Sequence, residues 1–328
     1  MKNTRHSARF YGLVLLLFVC LGISCYFIDN PRPASVTSGI PSSYQPPTDS
    51  QIIEDLLESP LKVFFLEILT LLIIFGIIAG LLIDFKFVVE VVKAKTLGFS
   101  EKFPGFPVNL STFLKVSLLM GFFYLAFKFV QIYLNYFFPS RVLSIAITFN
   151  GLFEIASIIC IVSFFGERNI FSGRVSINLF TSALRTYIGI LPILLGVLLL
   201  NILIFRFFKI EPEYMQPVKI IFQEKSLFNV ALLLLEGAIF APLFEELFFR
   251  GLFYGLLRNR FSIGFSALAS GLFFSLLHQN AFAFLPIFIL GLSFAFLYER
   301  TKNIFVPILL HAFHNSFILV LIFIIKPW

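Results

Sequence analysis

The chain has 328 residues, of which 59% are hydrophobic and 13% charged, and its mean hydropathy is +0.95. A soluble protein carries about 25% charged residues, so this composition excludes a soluble globular domain and points to a multi-pass membrane protein. The net charge of +7 is spread over loops and helix ends, without a dense basic tract interleaved with aromatics; this argues against nucleic-acid binding and suits cytoplasmic loops that face anionic lipid.

Lys2, Arg5 and Arg9 precede an apolar run over about 10–28. It is read as an uncleaved first span, because it is too long for a signal-peptide core and no small-x-small site follows closely. Residues 29–60 are Pro/Ser-rich and end acidic (Glu54, Asp55, Glu58), which predicts a solvated loop with a short helix before Pro60. A second span follows over about 61–83. Residues 86–107, with Lys93, Lys95, Lys102 and a turn-rich Phe103–Pro107, are expected to lie along the membrane surface.

Further spans are predicted over about 111–138, 142–165 and 181–205. Lys115, Lys128, Glu154 and Arg185 fall within or near their ends and are read as snorkelling or structural ion pairs. Residues 206–226 are amphipathic and charged, as in a loop or interfacial helix. The last four spans are expected at about 227–257, 262–278, 284–298 and 304–325. The fold class is therefore all-α, a polytopic membrane bundle of about nine helices with the active site among the last four. Residues 1–226 form a scaffold region and 227–328 the chemical region. An N-terminus inside puts the more basic loops in the cytoplasm.

Cys20, Cys25 and Cys160 all lie in apolar runs and no C-x-x-C occurs, so neither a thiolate zinc site nor a disulfide framework is indicated. The polar residues of the last third are more informative. Glu245, Glu246 and Arg250 interrupt an apolar run, although a charge at bilayer depth costs at least ~2.5–3.5 kcal/mol. Glu246 and Arg250 are spaced i, i+4, as are Phe274 and His278, and His311 and Asn315, so each pair shares a helix face. Polar stripes avoid lipid, so the three helices are expected to face one another. Counted from the inner boundary, Glu245 lies roughly 20 Å deep, His311 roughly 14 Å and His278 roughly 24 Å, a spread that ordinary helix tilt accommodates.

Two chemistries want such a set. A carboxylate can take a proton from water while imidazole and amide groups orient the water and stabilise an oxyanion, as in peptide hydrolysis. Alternatively, two histidines and a glutamate can hold zinc, although no H-E-x-x-H is present.

Glu245-Glu246-x-x-x-Arg250, Phe274-x-x-x-His278 and His311-x-x-x-Asn315, in this order, resemble the motifs of the CAAX-protease and bacteriocin-processing (CPBP, or Abi) family of intramembrane endopeptidases, which includes the Ras-converting CAAX endopeptidase. The resemblance covers about 230–325. It implies that Glu245 activates water with His278 as partner, that His311 and Asn315 stabilise the oxyanion, and that Glu246 and Arg250 support the site. No cofactor is required on this reading. The zinc variant would use His278, His311 and Glu245 or Glu246. The family further implies a peptide or protein substrate, in some members lipidated, cut near a C-terminus or leader junction. Membrane lipids are the expected surroundings, no nucleic-acid partner is expected, and the composition suggests a bacterial inner membrane location. His314 is read as a packing residue, and Glu236, nine residues before Glu245, as pointing elsewhere on its helix. A transporter is the rival class, but it would show repeated halves, and no internal repeat is evident. A non-catalytic immunity or scaffold protein is a third.

Overall fold

The computed structural model describes residues 49–94, 108–165, 177–213 and 215–326. The expected first span over 10–28 and most of the expected surface segment lie outside these. Ten helices are described: α1 Asp49–Leu57, α2 Pro60–Ala94, α3 Leu110–Phe137, α4 Val142–Phe165, α5 Ile177–Phe207, α6 Gln216–Gln223, α7 Leu227–Arg258, α8 Ile263–Leu277, α9 Ala281–Thr301 and α10 Phe305–Ile325. There is no strand among the described residues. Seven of these helices (α2 to α5, α7, α9 and α10) are long and apolar enough to cross a membrane, and α8 is a shorter apolar helix. The chain is an integral, multi-pass helical membrane protein. The described residues thus give seven spans of full length plus α8, where the sequence led us to expect nine.

Leu and Phe side chains cover much of the outer surface of α2 and α5, for example Leu72, Phe75, Leu82 and Leu203, as helices facing lipid require. Adjacent helices pair α3 with α4 and α2 with α5, while α5 also lies against α9 and α10. α8 packs on α9 at a glycine crossing: a Cβ on Gly291 would stand 3.0 Å from Cα of Gly271. Small residues let backbones approach this closely in a membrane.

Pro286 and Pro192 each free a carbonyl one turn earlier in their helix, and the bundle supplies a donor to the first and packs a glycine on the second. Pro286 leaves the Phe282 carbonyl without its helical donor, and Asn201 of α5 donates its amide N–H to it at 2.5 Å. Pro192 frees the Ile188 carbonyl, and Gly80 of α2 packs directly on that oxygen where any Cβ would collide. The amphipathic α6, in the stretch read as loop or interfacial helix, is held at its C-terminal end by Lys326, whose Nζ donates to the carbonyls of Ile221 (2.6 Å), Phe222 (3.3 Å) and Glu224 (2.5 Å). A cation suits the negative end of a helix. Lys326 lies just beyond α10, so this contact ties the end of the described chain to the entry of α7.

Candidate functional site

α7 is not a regular helix. It runs α over Leu227–Leu235, π over Glu236–Phe240, α over Ala241–Glu246, π over Leu247–Tyr254 and α over Gly255–Arg258. π turns displace backbone carbonyls from their usual donors. In both segments a neighbouring side chain supplies a donor: Asn315 of α10 to Gly237 O at 2.8 Å, and Ser270 of α8 to Phe249 O at 3.3 Å. The carboxylates Glu245 and Glu246 lie at the end of the short α segment between the two π turns.

Successive helical residues point about 100° apart, so the two glutamates meet different surroundings. Glu246 is fully buried. Its Oε1 accepts from Arg250 Nη1 at 2.8 Å and lies 3.0 Å from Nδ1 of His311. Arg250 is also fully buried; its Nη2 donates to the Gly291 carbonyl at 2.9 Å. Its guanidinium lies over the Phe274 and Phe294 rings, 4.7 and 4.9 Å from their centroids. The His311 ring stacks on Phe294 (4.8 Å, 24°) and meets Phe274 edge-on (5.7 Å, 82°). A buried ion pair is sound only when its remaining donors and acceptors are used. Here the Gly291 carbonyl, the His311 imidazole and two aromatic faces take up part of that task, while Glu246 Oε2 and Arg250 Nε are buried without a hydrogen bond among the described residues.

Glu245 is different. Its side chain retains 24% exposure, and its Oε2 lies 3.9 Å from Nε2 of His311, beyond hydrogen-bond range, with no partner among the described residues. Of the adjacent pair, one carboxylate is locked in structure, while Oε2 of the other makes no hydrogen bond among the described residues.

His278 closes α8, and Gln279 with φ 50° ends the helix there. Its Nδ1 stands 2.8 Å from the Phe274 carbonyl. A carbonyl only accepts, so the proton is assigned to Nδ1 and the lone pair to Nε2. His278 packs on Phe274 at 4.8 Å and is in electrostatic range of His311.

The structure thus brings Glu245, Glu246, Arg250 and His311 into one cluster. His278 joins it across the Phe274 ring, and Asn315 reaches α7 at Gly237. His314 lies edge-on to Tyr187 of α5, 6.0 Å between centroids, and its Nδ1 is buried without a hydrogen bond. Two contributors were not singled out from the sequence, Phe294 and the Gly291 carbonyl, and Glu154 of α4 was read there only as a snorkelling or structural residue. Glu154 is buried within electrostatic range of Glu236 and Glu245. No three His, Cys, Asp or Glu side chains among the described residues are grouped to hold a metal ion. Nδ1 of both His278 and His311 is engaged, which leaves Nε2 of each as the ring nitrogen open to a ligand.

This geometry defines a class: a helical membrane protein with a buried Glu–Arg–His chain beside an accessible glutamate. Residues 227–317 match the family described as type II CAAX prenyl endopeptidase Rce1-like. Over 92 residues the chain is 35% identical to "Putative membrane peptidase YdiL" of Bacillus subtilis (strain 168), which covers 28% of this chain and 38% of that protein. Over 90 residues it is 34% identical to the membrane-embedded CAAX protease MroQ of Staphylococcus aureus (strain USA300), 25% of this chain and 36% of that one. The chain therefore matches well under half the length of these curated relatives. No solved structure matches it. The similarity to these membrane proteases is confined to the region that carries the Glu245–Arg250, His278 and His311–Asn315 motifs.

Proposed function

We propose that the protein is an intramembrane endopeptidase that hydrolyses a peptide bond in membrane-associated substrates, near a C-terminus or a leader junction. The observation that carries this reading is the Arg250–Glu246–His311 chain, which fixes His311 with its Nε2 beside the accessible Glu245 carboxylate. The family match over 227–317 supports it.

Glu245 takes a proton from water as the water oxygen attacks the carbonyl carbon, with Nε2 of His278 as a second acceptor. The oxyanion that forms is met by donors. Asn315 uses one amide N–H on Gly237 and keeps the other. His311, held at Nδ1 by Glu246, presents Nε2 on the side of Glu245 and donates to the oxyanion in the form that carries a proton on Nε2. Such a donor is worth about 2.7–4 kcal/mol of barrier. The C–N bond then breaks, Glu245 returns its proton to the leaving nitrogen, and a carboxylic acid and an amine result, which separate as carboxylate and ammonium once the acid's proton passes to the amine. No step is routed through a metal.

The test is cleavage of a library of membrane-protein peptides by purified protein in detergent. The wild type is compared with Glu245→Ala and His278→Ala, with chelator present and absent. Cleavage by the wild type, unaffected by chelator and lost in both variants, is the expected result. Cleavage that survives Glu245→Ala would sink the proposal.

A further inference from the structure

Glu154 lies on α4, in the half of the chain that the motifs do not reach. The Glu154 residue is only 9% exposed, and Oε2 has no hydrogen-bond partner among the described residues. One turn on, Ser157 is fully buried on the same face with its Oγ also unpartnered. That face packs on α7: Phe153 meets Phe244 edge-on at 5.5 Å, and the residues next to them are Glu154 and Glu245. The charged groups that act on Glu154 are Glu236 and Glu245, both from α7. Glu245 is faced in turn by His311 and Arg250.

A carboxylate this deep in a membrane protein needs a counter-charge or a proton. No cation bonds Glu154, and Arg250, the cation nearest the cluster, is committed to Glu246. Carboxyl groups within electrostatic range of one another in such a layer, here Glu154 with Glu236 and Glu245, do not all ionise together, and a proton held among them is the stable arrangement. Glu245 likewise has its Oε2 unpartnered.

We infer that Glu154 is a positioning residue for the reaction: its carboxyl group shares a hydrogen-bonded proton with Glu245 and so orients the free Glu245 oxygen towards the attacking water. The inference rests on the hydrolytic reading above. Glu154 consumes no proton in the cycle. The proton that Glu245 takes from water still leaves on the amine, and the shared proton only holds the carboxylate in register. In this way the N-terminal helices contribute a functional group to the site and are more than a frame.

The experiment compares wild type, Glu154→Gln, Glu154→Leu and Glu245→Gln, each checked for a monodisperse, cooperatively unfolding species in detergent. Two quantities are read: kcat and KM for one cleaved peptide over a pH series, and the infrared bands of protonated carboxyl groups in the absence of substrate. Glu154→Gln keeps the shape and the donor but cannot exchange a proton. It is expected to leave KM near wild type and lower kcat by about 10- to 100-fold, as small misplacements of a reacting group do. One ionisation should vanish from the pH profile, and the infrared band that disappears in Glu245→Gln should be moved. A Glu154→Gln protein with wild-type kcat and pH profile and an unmoved Glu245 band overturns the inference alone. Cleavage that survives Glu245→Gln overturns the hydrolytic reading and this inference with it.

Discussion

Glu246 and His311 stand 65 residues apart in the chain, yet Oε1 of one lies 3.0 Å from Nδ1 of the other. The same oxygen accepts from Arg250, so a single carboxylate oxygen joins α7 to α10 and, through the Gly291 carbonyl, to α9. The side chain that fixes the imidazole also holds three helices together. Folding and function are therefore hard to separate at Glu246 and Arg250, and easier to separate at Glu245.

Replacing Arg250 by Met leaves Glu246 buried beside an imidazole with its strongest partner gone. Breaking one side of a buried pair costs about 3–5 kcal/mol. Arg250→Lys keeps the charge but loses the forked reach to Glu246 and Gly291 together and the flat stacking on Phe274 and Phe294. Both variants are expected to melt earlier in detergent, Met more than Lys. Wild-type melting of Arg250→Met would contradict the picture of a structural pair.

Glu245 makes no ion pair shorter than the 3.9 Å approach to His311 and is part-exposed. Glu245→Gln should therefore leave thermal unfolding within about 0.5 kcal/mol of wild type while lowering kcat by about 100-fold or more, the usual share of a general base. The paired reading of melting and rate is the check: a large loss of stability would mean that Glu245 is structural.

The sequence carries the i, i+4 spacing of Glu246 with Arg250 in plain view, and the apolar runs locate the described spans to within a few residues except α2, which runs on to Ala94 where the reading ended the span at about 83. The meeting of His311 with Glu246 was legible only as a tendency of polar stripes to face each other, because no periodicity within one helix encodes a contact across 65 residues. Glu236 shows where reading from spacing fails. Nine residues on a regular α-helix turn through 900°, which would put Glu236 and Glu245 on opposite sides. The π turn at Glu236–Phe240 inserts one residue, which brings the two to about 80° apart and both within range of Glu154. Glu154 looked like an ordinary snorkelling residue because nothing in its own helix marks what packs against it.

The α8–α9 crossing predicts a steric effect that reaches the site. A side chain on Gly291 meets the Gly271 backbone at 3.0 Å, where no flexible group can yield. Gly291→Leu should spread the two helices and draw the Gly291 carbonyl away from Arg250, at a cost of about 1–3 kcal/mol or more. Loss of thermal stability together with activity is expected, whereas Gly151→Leu, where a Cβ would meet open space, should do neither.

Lys326 offers a prediction away from the chemistry. It is 2% exposed and donates to three carbonyls at the end of α6. Lys326→Met preserves length and apolar stem but leaves those carbonyls without their donor, so α6 should detach before the bundle unfolds. Limited proteolysis would read this as faster cutting between 209 and 226 with the remainder intact. Unchanged cutting would mean that the apolar face of α6 holds it unaided.

Asn315 is the residue at which structure and chemistry make competing demands on one amide. One N–H is spent on the Gly237 carbonyl at 2.8 Å, inside the first π turn. Without that donor the carbonyl is left unpaired at bilayer depth, a loss of about 1–3 kcal/mol. Asn315→Asp keeps the shape but sets a carboxylate oxygen against the carbonyl, so it should be worse than Asn315→Ala in both stability and rate. The π turn also sets the angle between Glu236 and Glu245, so its collapse to regular helix would swing Glu236 away from Glu154. A double mutant tests that coupling. If Asn315 acts on this cluster through the π turn, adding Glu154→Gln to Asn315→Ala should cost less in kcat than it does in the wild type, because the arrangement it disturbs has already been lost. Fully additive losses would instead assign Asn315 a role independent of Glu154, at the oxyanion alone.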